Sequence, residues 1–480
     1  TLSYVGAAKG KWSVATNWRD DAGGTNTVPR AGDTLKLTQE NLANDLTDFE
    51  PYQIRTNGKF QQGTSNAVIL DSCGGGIYDE GYIYFDIPIR IRGTNMPFYA
   101  SQFFGCNGTF RSADGNPCGL VKKGSAVAGL SPSGSAGADY YAGLKYIDVN
   151  QGTFAFNANG KAKDAKLAYF PSDLVLTFSA SGTKFAFNGT YNLTNVLFRE
   201  TGTAVGATHT VGTQSADYTG SLALRGTPPV DSTVFTGTMT DKLAFIWAPD
   251  AATKEFVFSG STGRFAPSVG YGLTVENGTV RFANGASFTA DSIALAGGAA
   301  RLAVEGTPAQ NCTASAVTLA AGAKVSVGAG VTLAFTTVNA AGADVPGGVY
   351  CAVGGTGGIE AGWIEGEGRV VVSKGNRIYW AATTTGPGSY SGAADPDVLA
   401  NWKVRNPDGT YSASPLLPMS GNVIVFNNGL HSLHMTEDRF PDETVVAAYR
   451  RLVSLFRTAA PKASVIYLNT TPNTAKKDAA

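Results

Sequence analysis

Charge is scarce in this sequence. Lys, Arg, Asp and Glu make up 15% of the 480 residues, and the 37 basic residues balance the 37 acidic ones. An average globular chain carries about 25% charged residues, so charge is not what covers this surface. A net charge of zero leaves no electrostatic footprint for nucleic acid or for an anionic membrane, and neither is expected as a partner. His (3) and Met (4) are also rare. No run of 18 apolar residues exists, so no membrane-spanning helix is expected. The five cysteines, Cys73, Cys106, Cys118, Cys312 and Cys351, cannot all pair within the chain. No Cys-x-x-Cys is present, which argues against a zinc knuckle or a thioredoxin-type site. Cys106 and Cys118 flank a Gly-rich turn region and are candidates for a bridge; the other reading is five small buried hydrophobes. The sequence also lacks Gly-x-x-x-x-Gly-Lys-[Ser/Thr] and the Gly-Gly-x-Gly-x-Asp nonapeptide, so neither a phosphate cradle nor a calcium-binding β-roll is expected. No cofactor and no metal site follow from these residues.

What is abundant is glycine, 60 residues of it, and it recurs in a short phrase. The phrase reads Asn107-Gly108-Thr109-Phe110, Gln151-Gly152-Thr153-Phe154, Asn188-Gly189-Thr190-Tyr191, Thr219-Gly220-Ser221-Leu222 and Asn277-Gly278-Thr279-Val280. Asn-Gly suits the positive φ of a tight turn, and the alternation that follows makes a half-buried strand. Turn and strand repeated over hundreds of residues predict an all-β chain, a right-handed parallel β-solenoid. Between about 270 and 375 the pattern is most regular. Leu273-Thr274-Val275, Val280-Arg281-Phe282, Ile293-Ala294-Leu295, Leu302-Ala303-Val304, Val317-Thr318-Leu319 and Val325-Ser326-Val327 are each too short to stand alone and must stack.

Two further duplications organise the chain. Near the start stand Tyr4, Trp12, Asn17-Trp18 and Pro29-Arg30-Ala31-Gly32-Asp33, followed by the alternating Thr34-Leu35-Lys36-Leu37. Near the end stand Tyr379-Trp380, Asn401-Trp402 and Pro418-Met419-Ser420-Gly421-Asn422, followed by Val423-Ile424-Val425-Phe426. The order predicts Trp-containing β modules at both ends: residues 1–100 as an N-terminal module or cap, 101–376 as the solenoid, and 377–480 as a partial second copy. Trp12, Trp18, Trp380 and Trp402 are candidates to plug the ends of the stack or to mediate end-to-end self-association. In the middle, the segment from Lys166 through Phe178 to Phe185 resembles that from Lys242 through Phe258 to Phe265, with a short insertion inside the second copy. One segment, Pro441 to Arg457, has apolar residues at helical spacing with acids at its start, and is predicted as a capping helix, a strand being the alternative. A chain that begins at Thr1 is expected of a processed form or of a piece of something longer.

Gly119-Leu120-Val121-Lys122-Lys123-Gly124, then Tyr140-Tyr141-Ala142-Gly143-Leu144-Lys145-Tyr146-Ile147-Asp148-Val149 and Gln151-Gly152-Thr153-Phe154, resemble an autotransporter-associated β-strand repeat. The chain departs from that pattern in Val127-Ala128-Gly129-Leu130 after the Lys-Gly turn and in a Ser/Gly-rich insertion, Ser131 to Gly137. Pro346-Gly347-Gly348-Val349-Tyr350 and Ala361 to Val372 are similar to long bacterial surface proteins of this kind. The resemblance implies a secreted bacterial protein at the cell surface, acting as an adhesin, a stalk or a structural subunit of an extracellular assembly. Its partners would be further copies of itself, or glycans or proteins of a host or matrix. The motif is structural and implies no catalytic residue.

An enzyme would need convergent groups, as paired carboxylates on one face of a solenoid. Asp71, Asp79, Glu80, Asp86, Asp148 and Asp173 are the candidate acids, and their spacing singles out no pair. His431 and His434, three apart, would point to opposite faces of a strand. Tyr82, Tyr84, Arg90 and Arg92 are expected to share one strand face, a candidate sugar- or anion-contacting patch. A non-enzymatic surface protein is the leading expectation, and a carbohydrate-active β-helix that binds or cleaves polysaccharide the alternative.

Overall fold

The computed structural model describes residues 1–40, 42–57, 66–81, 83–131, 140–156, 170–306 and 312–373. It also describes the strands Phe60–Gln61, Ile378–Trp380, Trp402–Arg405, Tyr411–Ala413, Val423–Phe426 and Ser464–Tyr467. The predicted class is found: parallel strands stack as a β-solenoid of about 10 turns. Among the described residues the helical segments are two 3-10 turns, Ala15–Asn17 and Gly202–Ala204. Contacts divide the chain into two compact units, Thr1–Asn311 with Ala320–Lys324, and Cys312–Leu319 with Val325–Ala480.

The first unit is built on a 10-stranded sheet whose strands run in parallel register from Leu2–Tyr4 to Leu197–Glu200, with Trp18–Asp20 antiparallel at its edge. Its register can be followed residue by residue. Leu2, Leu35, Ile54, Ile77, Phe98, Lys122, Val149, Phe178 and Glu200 lie one above another on successive turns. This column faces the core, because alternate residues of a strand point to opposite sides and the apolar set must lie inside. The turns differ in chain length, that from Leu35 to Ile54 being short and that from Val149 to Phe178 much longer, while the column stays in register. The ladder runs without a break through residue 100, the expected edge of a separate N-terminal module.

Further sheets complete the turns of this unit. Val68–Asp71, Ile89–Arg92 and Phe110–Ser112 form a three-stranded parallel sheet. Ser232–Phe235, Glu255–Ser259, Thr279–Ala283 and Arg301–Val304 form another parallel ladder. The sequence duplication is explained here. Lys184, Thr210, Thr238 and Arg264 occupy one column, as do Phe185, Val211, Met239 and Phe265. At this strand the two copies thus stand a whole number of turns apart, with a basic residue and a phenylalanine at the same two positions of each.

The glycines of the recurring phrase serve two purposes. Gly152, Gly189 and Gly278 have φ of 69°, 118° and 70°, the left-handed conformation that the Asn-Gly reading expects. Gly108 and Gly220 do not have positive φ. A Cβ on Gly108 would lie 2.5 Å from the Ile87 carbonyl oxygen, and one on Gly220 would strike that of Phe187. Those two are glycine because the neighbouring turn's backbone passes too close.

Two of the sheets carry antiparallel strands. In the first unit Trp18–Asp20 folds back on Leu2–Tyr4. In the second, Thr332–Ala340 turns through Ala341 (φ 53°) and Gly342 (φ 86°) into Ala343–Val345, and Gly348–Cys351 runs antiparallel to Arg369–Val372. An antiparallel hairpin occupies the hydrogen-bonding edge that another parallel turn would use. The strands near the C-terminus repeat the pairing of the N-terminal ones. Trp380 lies opposite Trp402 as Tyr4 lies opposite Trp18, and Val423–Phe426 pairs in parallel with Ser464–Tyr467 as Thr34–Leu37 pairs with Gln53–Thr56. The segment predicted as a capping helix, 441–457, lies outside the described residues.

Candidate functional site

Ionisable groups inside a stack of apolar turns are costly unless each has partners, so they are the first places to look for function. Lys122 lies in the inward column between Phe98 and Val149 and is fully buried. Its Nζ donates to the carbonyl oxygens of Lys123 (2.9 Å), Gly124 (2.6 Å) and Gln151 (2.9 Å), so each ammonium proton has an acceptor. Burial pulls its pKa down from 10.5 to about 7, with the charge of Asp79 opposing the shift. Asp79, also buried, accepts from the backbone N–H of Gly81 (2.6 Å) and of Gln102 (3.1 Å). Burial nonetheless holds its carboxyl above the usual range.

A second polar knot closes the same column. His209 is fully buried; its Nε2 lies 3.1 Å from Glu200 Oε1 and its Nδ1 3.1 Å from the Ala207 carbonyl oxygen. Glu200 also accepts from Thr236 N and Oγ1, both at 2.6 Å. Burial pushes the Glu200 carboxyl up, and these hydrogen bonds outweigh it, leaving the pKa lowered. The imidazole sits 4.3 Å from the Phe178 ring centroid and 5.2 Å from that of Phe235. A Cβ on Gly237 would approach His209 Cδ2 to 2.5 Å, so glycine there makes room for the ring. Both knots join backbone and side chains of neighbouring turns. Lys122, Asp79 and His209 are buried, and Glu200 and Thr236 are half-buried.

The candidate acids are distributed through the stack. Asp79 faces inward with Thr56 and Ala100 above and below, whereas Asp148 shares the outward column of Val121 and Thr177. Asp148 accepts from Ser179 Oγ (2.6 Å), and burial raises its pKa. Asp86 accepts from Asn107 Nδ2 (2.6 Å), Asp173 from Asn195 Nδ2 (3.0 Å), Glu80 from Arg55 Nε (2.6 Å), and Asp71 lies 3.7 Å from Arg92. Each of these bonds links adjacent turns. Among the described residues no three His, Cys, Asp or Glu groups are arranged to hold a metal ion. His431 and His434 lie outside the described residues.

The expected aromatic and basic patch is divided. Tyr84 is on Ile83–Phe85 and rests edge-on against Phe103 at 5.6 Å, whereas Arg90 and Arg92 are on Ile89–Arg92, in a different sheet. The segment Asp86-Ile87-Pro88 turns the corner between them; its proline breaks the single strand that the alternation predicted. Arg92 binds Glu50 at 2.6 Å, and Arg90 lies 3.6 Å from Asp48. Tyr82 lies outside the described residues.

The tryptophans of the first unit are core residues. Trp12 and Trp18 are fully buried, in edge-to-face contact with each other at 5.9 Å; Tyr4 meets Trp18 at 5.2 Å, and Phe49 meets Trp12 at 6.0 Å. Their rings plug the first turn and present no surface to another copy. Trp380 and Trp402 are paired strand residues. Cys106 and Cys118 are free and buried, on strands of different sheets, and Cys73 is free and exposed. Among the described residues no helix is long and apolar enough to cross a membrane.

The outward faces carry the groups that sequence reasoning missed. Ser3, Lys36, Arg55, Tyr78, Tyr99 and Lys123 form one outward column on successive turns of the first sheet. Tyr78 and Tyr99 stack at 4.2 Å with 10° between their planes, and the Arg55 guanidinium carbon lies 5.8 Å from the Tyr78 centroid. These residues are far apart in sequence, and only the turn length brings them together. Compared with known proteins, the chain matches no family model, no curated protein and no solved structure.

Proposed function

We propose that this chain is a secreted, non-catalytic β-solenoid of a bacterial cell surface, acting as a stalk or adhesive body. The observation that carries the reading is where its ionisable groups go. Lys122, Asp79, Glu200 and His209 lock neighbouring turns together from inside. On the outside, Arg92 with Glu50, Arg225 with Glu276, and Arg281 with Glu255 bridge turns at 2.6 to 2.7 Å. Charges arranged in this way stiffen a stack, and among the described residues they are spent on contacts between and within turns rather than gathered in a cleft. The resemblance of Gly119 to Phe154 to autotransporter-associated repeats supports the bacterial and extracellular part. The proposal gives Trp12 and Trp18 no role in association, because both are interior.

The test has two arms. Antibody labelling of intact source cells should place the chain outside, and purified chain should turn over none of a panel of plant and mucosal polysaccharides. Turnover abolished by one Asp or Glu substitution would move the chain to the carbohydrate-active reading.

A further inference from the structure

We infer that the outward face of the first sheet, between Lys36 and Lys123, binds an extended acidic polysaccharide. The inference rests on the reading of the chain as an extracellular body, and it names what that body holds.

The column offers one side chain per turn in fixed order: Lys36, Arg55, Tyr78, Tyr99, Lys123. Turns of a parallel ladder repeat at about 4.8 Å, so the two lysines stand roughly 19 Å apart, four steps along the stack. Arg55 and Lys123 are exposed, and Lys36, Tyr78 and Tyr99 are half-buried.

The chemistry of the column selects the ligand. The faces that Tyr78 and Tyr99 turn towards each other are in contact at 4.2 Å, so a sugar ring cannot slide between them. What the pair presents is ring edge and phenol hydroxyl, which can donate to and accept from sugar hydroxyls. Arg55 is held by Glu80 (2.6 Å) and lies over Tyr78. Lys36 and Lys123 have no acidic partner within 4.0 Å among the described residues, unlike Arg92, Arg225, Arg281, Lys184 and Lys254 elsewhere on the stack. Two free ammonium groups flanking a hydroxyl-bearing step match a polymer with hydroxyls along its length and anionic groups at intervals. A linear chain lying along the stack meets every one of these side chains; a compact ligand meets one or two.

The test uses the whole chain and three probes at physiological salt: polygalacturonate for carboxylate, dextran sulfate for sulfate, and unmodified dextran as the neutral control. At least one acidic polymer should bind and dextran should not. The variant Lys36→Ser with Lys123→Ser changes exposed or half-exposed tips and should leave the melting temperature unchanged while weakening binding about three- to tenfold. The control, Arg111→Ser with Arg264→Ser, removes the same charge from exposed positions on other sheets and should change binding less than twofold. No binding to either acidic polymer, or an equal loss in both double variants, overturns the site. A chain that binds nothing but is displayed on cells loses this site and keeps the proposed function. A chain that binds through Lys36 and Lys123 yet stays inside the cell keeps the site and loses the function.

Discussion

Trp18 donates its indole N–H to the backbone carbonyl of Trp12 at 2.9 Å, while the two rings meet edge-to-face at 5.9 Å and 89°. The contact fixes both the position and the angle of two large side chains where the stack begins. Aromatic pairs of this geometry contribute about 0.5–1.5 kcal/mol beyond their buried area. Trp18→Ala should therefore lower stability by about 3–5 kcal/mol, measured by urea unfolding. Trp18→Phe, which keeps most of the volume and loses the hydrogen bond, should lose clearly less. If Trp18 instead served as an exposed docking group, neither change would move the unfolding midpoint.

Glycine has two separable functions in the solenoid, and substitution should tell them apart. A Cβ on Gly129 would collide with the carbonyl oxygen of Ala155 in the next turn, whereas a Cβ on Gly260 meets nothing within 4 Å but sits at φ 78°. Gly129→Ala should cost about 3 kcal/mol or more, because backbone must move. Gly260→Ala should cost about 1 kcal/mol, the strain of a left-handed residue alone. Thermal unfolding of the two variants checks the order, and equal losses would contradict it.

Much of the fold was legible in the sequence because a stacked turn is a local object. The phrase at Gln151-Gly152-Thr153 gives a positive-φ turn and the strand Thr153–Phe156, and the regular run after 270 gives strands that contain Leu273 to Val275 and Leu302 to Val304. The outward column was not legible. Turns of unequal length bring Arg55, Tyr78 and Tyr99 together, and no short window contains them. Lys122 was within reach: alternation from Leu120 places it inward, and a lysine at an inward position needs carbonyl acceptors. His209 carried no signal of its own: its partner Glu200 lies nine residues earlier with no motif linking the two, and Thr236, which completes the shell of Glu200, comes from another turn. Tyr84 and Arg90 share a face only if one strand carries both, and Pro88 turns a corner between their strands.

Lys122 makes stability depend on pH with a definite sign. The unfolded lysine keeps its proton up to about 10.5, and the buried one releases it near 7. Between those values the unfolded chain binds the extra proton, so the contribution of Lys122 to stability rises with pH above 7 and is flat below it. From pH 7.0 to 8.5, before most cysteines and tyrosines titrate, the gain should be at most about 2 kcal/mol. Lys122→Met should abolish that rise while leaving Gly124 and Gln151 carbonyls unpaired, so the variant is less stable overall. Chemical denaturation at the two pH values checks this, and a slope unchanged in the variant would contradict it.

The cysteines should react by position. Cys73 is exposed, and Cys106 and Cys118 are free and buried, with burial pushing the Cys106 thiol well above its ordinary range and Cys118 up to about 11. In native buffer a thiol reagent should label Cys73 fast and leave Cys106 and Cys118 unmodified until denaturant is added. Mass spectrometry of the peptides reads the pattern; a Cys106–Cys118 disulfide in the native chain would contradict the free-thiol geometry.

The proposed function places this stack, with Lys122, Asp79, His209 and Glu200 tying its turns together, at the cell surface. The most direct measurement is antibody labelling of intact, unpermeabilised source cells, compared with labelling after lysis. The account predicts that most of the label is reached on intact cells. Label reached only after lysis would contradict it.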